Sequence, residues 1–224
     1  MITIIDYKAG NLTSVKLAFE SIGCEVKITD RPEEILRGEK IVFPGVGAAK
    51  AAMDNLKELK LIEPIRKVIA DGVPFLGICI GMQVLFDSSE EDGGTECLGI
   101  LPGSVKKFKS ADRSASPSAR AEAGETSPQG ELCKIPQIGW NTVKIVKQLP
   151  IFDGIEDQSE FYFVHSFYPA CSDKNHIIGQ TEYAGAIFAS AAGKGNFAAV
   201  QFHPERSGRI GLKLLENFSK WNGK

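Results

Sequence analysis

The first half of the chain alternates short apolar runs with segments whose apolar residues recur at helical spacing. The run Ile2 to Ile5 is rich in β-branched residues, and apolar side chains then recur every three or four positions from Leu12 to Ile22. Residues 25–28, 40–43 and 74–79 predict further short strands, the last of them apolar on both faces. Strands of this kind between helices are typical of a parallel sheet covered on both sides.

From Leu98 onward the pattern changes to closely spaced strand candidates, which predict antiparallel strands joined by turns. These candidates are residues 140–146, 161–164, 177–181, 186–190 and 197–202. Apolar residues between Ile210 and Trp221 indicate a final helix. A length of 224 residues favours one large domain over two small ones. We therefore expect a single α/β domain over residues 1–224, with a mostly parallel central sheet, flanking helices and an antiparallel section in its second half.

Residues 110–130 interrupt this pattern. They contain five serines and five alanines but no Val, Ile, Leu, Phe, Tyr or Trp. A segment that buries so little apolar surface cannot offset the entropy lost when it is ordered. We predict a mobile surface insertion here.

Composition and charge argue against several classes of protein. The 26 basic and 28 acidic side chains give a net charge of -2, so the chain lacks the basic field of a nucleic-acid-binding protein. The most apolar stretch, Val73 to Phe86, is interrupted by proline and glycine and is too short to span a membrane. Five scattered cysteines without a CxxC pair, and only three histidines, favour a reducing, cytoplasmic setting over disulfides or a metal site. The N-terminal MITIIDY lacks the basic leader of a signal peptide. We expect no nucleic acid, membrane, metal or cofactor.

The segment Pro74 to Gln83 contains the most informative motif. Gly77 and Gly81 flank Cys79 at two residues on either side, which is the spacing of a nucleophile elbow with a thiol in place of the hydroxyl. A helix predicted over Met82 to Phe86 would direct its positive end toward the sulfur and favour the thiolate. On this motif alone Cys79 is equally well a nucleophile or a small buried hydrophobe at a strand end.

A thiolate nucleophile needs a base and a group that orients the base. His203 and Glu205, two residues apart around a proline at the end of an apolar strand, supply both. The glycine-rich loop Pro44 to Gly47 and the amide of Ile80 offer donors for an oxyanion. Taken singly, these features are also compatible with a structural histidine, a solvated carboxylate and an ordinary glycine-rich turn.

Together, the sequences GICIGMQ around Cys79 and FHPE ending at Glu205 resemble class I glutamine amidotransferases. Further segments resemble, within that family, the glutaminase subunits of imidazole glycerol phosphate synthases. These segments are residues 4–12, 43–47, 138–141, 162–166 and 201–207. The resemblance implies a flavodoxin-like fold and hydrolysis of L-glutamine to glutamate. It also implies transfer of the ammonia to a (β/α)₈-barrel cyclase subunit, which makes imidazole glycerol phosphate and an aminoimidazole carboxamide ribonucleotide in histidine biosynthesis.

The resemblance also implies roles for individual residues. The triad would be Cys79, His203 and Glu205, and the oxyanion hole would be formed by the amides of Gly47 and Ile80. The substrate would be held by Gln83, Glu91, His165 and Ser166, and the partner barrel would be faced by Asn11, Trp140, Tyr162 and Arg206. Each has a plainer alternative, such as a solvated helix residue for Gln83 or a core aromatic for Trp140.

Two departures from the family pattern lie near the presumed docking side. Lys8 and Ala9 replace a small, uncharged pair, and Gln137 stands where histidine is common. Three other functions remain open. These are a glutaminase subunit of another synthase, such as that of anthranilate, guanylate or cytidylate, a docking or regulatory subunit with a vestigial triad, and a stand-alone cysteine peptidase.

Overall fold

A computed structural model describes residues 1–8, 10–109, 117–124, 126 and 133–224. The strands are β1 (Ile2–Ile5), β2 (Val26–Thr29), β3 (Ile41–Gly45), β4 (Phe75–Cys79), β5 (Phe86–Ser89), β6 (Thr95–Glu96), β7 (Leu101–Lys107), β8 (Gln137–Ile145), β9 (Ser159–His165), β10 (Phe167–Cys171), β11 (Ile177–Tyr183), β12 (Ala186–Lys194) and β13 (Phe197–Val200). The helices are α1 (Leu12–Ser21), α2 (Pro32–Ile35), α3 (Ala49–Glu58), α4 (Ile62–Ala70), α5 (Ile80–Gln83), α6 (Pro117–Glu122) and α7 (Gly208–Lys220). Single 3₁₀ turns cover Glu91–Gly93, Pro150–Phe152, Lys174–His176 and Pro204–Arg206.

The large sheet has the strand order β2-β1-β3-β4-β13-β12-β11-β8-β9. Strands β2, β1, β3, β4 and β13 pair in parallel, and the pairs from β13 to β9 are antiparallel. Four of these parallel strands, β1, β3, β4 and β13, are completely buried, which explains why most of their residues are apolar on both faces. The predicted α/β fold with an antiparallel section is confirmed.

A second sheet, with the order β10-β7-β5-β6, is absent from the sequence prediction. Its strands give weak patterns because β7 begins Leu-Pro-Gly and β10 contains Pro169. The sequence pattern also places Phe86, the first residue of β5, in a predicted helix. Short apolar runs do not distinguish a buried strand from a buried helix, so this sheet could not be found from periodicity.

Amphipathic helices cover the large sheet. Helix α1 buries Val15 and Phe19, and α7 buries Leu214 and Phe218. The rings of Phe19 and Phe218 meet edge to face, with their centroids 6.3 Å apart, so these two helices pack against each other. The central strands β3, β4 and β13 all run parallel, and residues that follow them meet at one edge of the sheet.

The predicted insertion at residues 110–130 is described only in part. Its described part contains α6, whereas residues 110–116, 125 and 127–130 lie outside the described residues, as does Ala9. The mobility of the insertion and the single domain over residues 1–224 stay predictions.

None of the described helices is both long and apolar enough to cross a membrane. In the same part of the chain, no three His, Cys, Asp or Glu side chains cluster in a way that could hold a metal ion.

Candidate active site

Cys79 stands on a sharp turn from strand to helix. It ends β4, α5 begins at the next residue, and its backbone angles are φ 55° and ψ -109°, which a residue with a side chain rarely adopts. A Cβ atom at Gly81 would lie 1.7 Å from the carbonyl oxygen of Phe43, and one at Gly77 would lie 2.8 Å from that of Gly81. The predicted elbow is confirmed, and glycine is required on both sides because neighbouring backbone occupies the space.

The helix predicted over Met82 to Phe86 is wrong. The structure has only the single turn of α5 after the cysteine, and Phe86 is the first residue of β5. Since the dipole of a helix grows with its aligned peptide units, one turn supplies little of the effect that the longer helix would have given. Charge at the sulfur must therefore be stabilised by side chains.

His203 and Glu205 lie beside Cys79. The Nδ1 atom of His203 is 2.8 Å from Oε1 of Glu205, and the two side chains are only 6% and 1% exposed. The His203 ring and Cys79 line the same cavity, and Cys79 is close enough to raise the pKa of the ring. Because Nδ1 faces Glu205, the nitrogen left to face the sulfur is Nε2. The fold thus brings the end of β4 together with the segment after β13.

The protonation of His203 follows from these contacts. Burial lowers its pKa, but the influence of Cys79 and of Glu205 outweighs burial and raises the pKa to about 10. The protonated ring is therefore favoured at neutral pH. A protonated imidazole beside a cysteine is placed to give a proton to a group that leaves from a carbon bonded to the sulfur.

Asn11 hydrogen-bonds to Glu205, which is also the partner of His203. Its Nδ2 atom donates to Oε1 of Glu205 at 2.9 Å, so one carboxylate oxygen receives hydrogen bonds from both Asn11 and His203. Among the described residues, Oε2 of Glu205 has no partner although it is buried. The resemblance assigned Asn11 to the partner interface, and the structure places its side chain on the triad acid. The sequence could not reveal this contact because the two residues lie near opposite ends of the chain.

A cavity of about 340 Å³ opens at Cys79. Its walls include Cys79 and His203, both predicted oxyanion residues and all four predicted substrate residues, together with Arg206. The predicted members are Gly47, Ile80, Gln83, Glu91, His165 and Ser166. The structure therefore brings these candidate residues together, and Arg206, expected at the partner interface, also faces the cavity. Such a volume suits a small polar molecule.

Gln83 is buried, and its side-chain nitrogen donates two hydrogen bonds. It is 2% exposed, and Nε2 donates to the carbonyl oxygen of Phe167 at 3.0 Å and to Oε1 of Gln201 at 2.9 Å. Nε2 of Gln201 in turn lies 3.6 Å from the sulfur of Cys79. The alternative of a solvated helix residue is wrong for Gln83. Both of its N–H groups are used, so only its oxygen is left to face a ligand.

Glu91 joins the cavity to the first turn of α3. Its Oε2 atom accepts a hydrogen bond from the backbone N–H of Ala49 at 2.6 Å. Burial raises the pKa of Glu91, a change that the Ala49 hydrogen bond partly opposes and the neighbouring charge of Asp92 reinforces. The carboxylate thus lies on the cavity wall next to the segment that follows the Pro44 to Gly47 loop.

His165 is a neutral, buried histidine. Burial is the main cause that lowers its pKa to about 4, reinforced by the charge of His203 and opposed by a hydrogen bond to the Phe167 carbonyl. Nδ1 lies 2.8 Å from that carbonyl oxygen, and Nε2 lies 2.9 Å from the side-chain oxygen Oε1 of Gln137. The family departure at Gln137 is therefore a direct contact of a cavity residue.

Trp140 and Tyr162 form a cross-strand pair between β8 and β9. Their ring centroids are 6.0 Å apart, and Trp140 is 54% exposed. Ile138, two residues earlier on the same face of β8, is 63% exposed. The alternative of a core aromatic is wrong for Trp140. Two large, exposed apolar side chains beside each other are typical of a docking surface.

Comparisons with known proteins agree with this fold. A family model described as glutamine amidotransferase class-I matches residues 3–221. The chain is 49% identical over 218 residues to the imidazole glycerol phosphate synthase subunit HisH of Methanocaldococcus jannaschii, covering 97% of this chain and 98% of that protein. It is 42% identical over 224 residues to the HisH subunit of Pseudomonas syringae, covering 100% and 98%. The chain therefore belongs to the class I glutamine amidotransferases and, within them, to the HisH group of imidazole glycerol phosphate synthase subunits.

Solved structures share the fold at low sequence identity. The structure of PurLQS from Thermotoga maritima has a TM-score of 0.68 and 18% identity, covering 97% of this chain and 96% of that chain. The glutaminase domain of CTPS from Trypanosoma brucei, with bound acivicin, has a TM-score of 0.60 and 16% identity, covering 98% and 93%. At these identities the likeness shows the fold alone, and it confirms the predicted class I glutamine amidotransferase fold.

Proposed function

We propose that this chain is the glutaminase subunit of an imidazole glycerol phosphate synthase and acts in histidine biosynthesis. It would hydrolyse L-glutamine to glutamate and ammonia and pass the ammonia to a cyclase subunit. The observation that carries the proposal is the buried, hydrogen-bonded pair of His203 and Glu205 beside Cys79, with Cys79 and His203 both on the wall of one cavity. A vestigial triad would not require these contacts to be intact, so this alternative is disfavoured.

The proposed reaction has two halves. The Cys79 thiolate attacks the side-chain amide carbon of glutamine, and protonated His203 gives its proton to the departing nitrogen, which leaves as ammonia. A glutamyl thioester and a neutral His203 remain. His203 then takes a proton from water, the hydroxide attacks the thioester, and the carbon–sulfur bond breaks to release glutamate and restore the thiolate.

Glu205 and the oxyanion amides would support both halves. Glu205 holds Nδ1 of His203, so Nε2 stays directed at the sulfur. The backbone amides of Gly47 and Ile80, both on the cavity wall, would receive the negative oxygen of each tetrahedral intermediate. Loss of one such donor typically lowers kcat by about 10² to 10³ fold.

Substrate binding would use the polar residues around the cavity. Glu91 would pair with the α-ammonium group, and the side-chain oxygen of Gln83 would accept a hydrogen bond from the substrate. His165 and Ser166 would line the same pocket from the end of β9. No step in this scheme uses a cofactor or a metal ion.

The proposed partner is a (β/α)₈-barrel cyclase. The docking face would include Trp140, Tyr162 and the neighbouring Ile138, with Asn11 and Arg206 closer to the triad. A reduced thiol is essential to the mechanism, which fits a cytoplasmic enzyme.

The test is the Cys79→Ala variant in complex with the cyclase subunit. We expect glutamine-dependent formation of imidazole glycerol phosphate to be abolished, because no nucleophile remains, while synthesis from added ammonium salts continues at the wild-type rate. Both rates are measured on the same preparation by product chromatography. Loss of both activities, or survival of glutamine-dependent synthesis, would contradict the assignment of Cys79.

A further inference from the structure

We propose that Gln201 is a catalytic residue of the glutaminase reaction, which donates a side-chain N–H hydrogen bond to the sulfur of Cys79 and stabilises its negative charge. This inference rests on the proposed function. It adds the side-chain amide of Gln201 to His203 as a group that faces the sulfur of Cys79. The contact joins Nε2 of Gln201 to Sγ of Cys79 at 3.6 Å.

The orientation of the Gln201 amide is fixed by a chain of hydrogen bonds that begins at a carbonyl group. The Phe167 carbonyl oxygen can only accept, so the Gln83 atom 3.0 Å from it must be the NH₂ group. The second hydrogen of that NH₂ group points to Gln201, 2.9 Å away, so Gln201 must face Gln83 with its oxygen. The NH₂ group of Gln201 is then the part that faces Cys79, and no flip of the amide is compatible with these partners.

The hydrogen-bonded series of Gln83, Gln201 and Cys79 is buried, which strengthens the effect of its last hydrogen bond. Gln201 is 0% exposed, Gln83 is 2% exposed and Cys79 is 5% exposed. A neutral thiol is a weak acceptor, whereas a thiolate accepts as an anion, and hydrogen bonds to charged groups contribute about twice as much as neutral ones. An amide donor that is completely shielded from water therefore favours the charged form of the sulfur.

The position of Gln201 in the fold keeps its side chain on the sulfur. Its backbone N–H donates to the carbonyl oxygen of Ser190 at 2.8 Å, which ties it to β12 directly after β13. His203 lies two residues later, and its backbone N–H donates to the carbonyl oxygen of Tyr162 at 2.9 Å. One short segment, held by β12 and β9, thus carries both donors that face Cys79.

Two variants test the donor separately from the packing. Gln201→Met keeps the volume and removes the donor. Gln201→Glu keeps an oxygen acceptor for Gln83 and replaces only the NH₂ group that faces the sulfur. The measurement is the rate of Cys79 alkylation by iodoacetamide between pH 5 and 10 on the full chain, followed by mass spectrometry of the Cys79 peptide.

We expect the rate–pH profile of Cys79 alkylation to move about one unit to higher pH in Gln201→Met, so that the rate on the acidic limb of the profile falls by up to about tenfold. The shift in Gln201→Glu should be at least as large. A matched control is Asn217→Leu, which removes a buried amide that donates to the carbonyl oxygens of Ile151 and Asp153. This control should lower Tm and leave the alkylation profile unchanged.

The outcomes separate a catalytic from a structural role. If the variants lower Tm as the Asn217→Leu control does but keep the wild-type profile, Gln201 only packs the core and the proposal is overturned. If Gln201→Met does not fold, the profile of Gln201→Glu decides. A further experiment repeats the wild-type alkylation with L-glutamine present. If L-glutamine does not slow alkylation of Cys79, the proposed function is contradicted, whatever the Gln201 variants show.

Discussion

The backbone of Cys79 stores strain at the residue that the mechanism uses. Its φ of 55° and ψ of -109° hold the sulfur at the end of β4, where His203 and Gln201 reach it. Backbone conformations of this kind cost of order 1–3 kcal/mol and persist when the surrounding structure fixes them. Here Gly77 and Gly81 let neighbouring backbone pack closely against the turn that holds Cys79.

This strain predicts that Cys79→Gly is more stable than Cys79→Ala by about 1 kcal/mol, because glycine adopts positive φ without a steric cost and neither variant has the thiol. The free energy of unfolding of both is measured by urea denaturation at neutral pH. Neither variant should hydrolyse glutamine. An alanine variant at least as stable as the glycine variant would show that the turn is not strained.

At the scale of strands, His165 and Gln137 connect the ends of β9 and β8 across the cavity. Gln137 and His165 are register partners, and both are buried. The ring also reaches the Phe167 carbonyl, which is the same oxygen that anchors Gln83. Gln137, at the position where histidine is common in the family, thus places an uncharged side chain next to a ring that burial keeps neutral.

The lowered pKa of His165 predicts a pH dependence of stability. The unfolded chain binds a proton at this residue below about pH 6.5, whereas the folded chain does so only near pH 4. In this window the unfolded state binds more protons, so the residue makes the fold less stable as pH falls, by at most about 1.4 kcal/mol per unit.

His165→Asn keeps a donor for the Phe167 carbonyl and removes the titrating group. We expect the stability of the wild type relative to this variant to fall between pH 6.5 and 4, measured by urea denaturation at several pH values. Other titrating groups are common to both proteins and cancel in the difference. A difference that does not change with pH would contradict a neutral, buried His165.

Sequence patterns predicted the elements of the large sheet well because their apolar runs reflect burial. The short sheet of β5, β6, β7 and β10 was missed, since two of its strands contain proline and one begins inside an apolar run. His176 lies in the polar segment of residues 172–176, yet it is only 9% exposed, and its Nδ1 lies 3.3 Å from Oδ2 of Asp173. Local polarity does not show what a neighbouring strand covers.

Only part of the candidate site could be predicted from motifs. Cys79, His203 and Glu205 could be proposed because their spacing has a local physical meaning. The contacts of Asn11 with Glu205 and of Gln201 with Cys79 depend on which strands lie beside each other. No local pattern encodes such pairings, so these roles became visible only in the folded chain.

At the scale of the whole molecule, hydrogen bonds run from the first loop to the exposed face of β8. One series leads from Asn11 through Glu205 to His203, whose ring lies beside Cys79. A second leads from Cys79 through the two glutamines to the Phe167 carbonyl, and from there through His165 to Gln137. Gln137 is the first residue of the strand that carries Ile138 and Trp140, so the proposed docking face begins where this series ends.

Trp140→Ala should weaken the cyclase complex without unfolding the chain, because the side chain is half exposed and large aromatic residues often contribute 2 kcal/mol or more to an interface, about thirtyfold in Kd. The measurement is glutaminase turnover as a function of cyclase concentration. The control is Leu36→Ala, an exposed apolar residue at the end of α2, in the connection from β2 to β3 and thus far along the strand order from β8. Equal stimulation of all three proteins would show that this face does not bind the partner.

The most direct test of the account is covalent labelling with a diazoketone analogue of L-glutamine. The account predicts one adduct per chain on the Cys79 peptide, suppressed by excess L-glutamine and lost in His203→Asn, with the other four cysteines unlabelled. Mass spectrometry of the digested protein measures each cysteine separately. An adduct on another cysteine, or labelling of Cys79 that L-glutamine does not suppress, would contradict the claim that this sulfur is the nucleophile of a glutamine site.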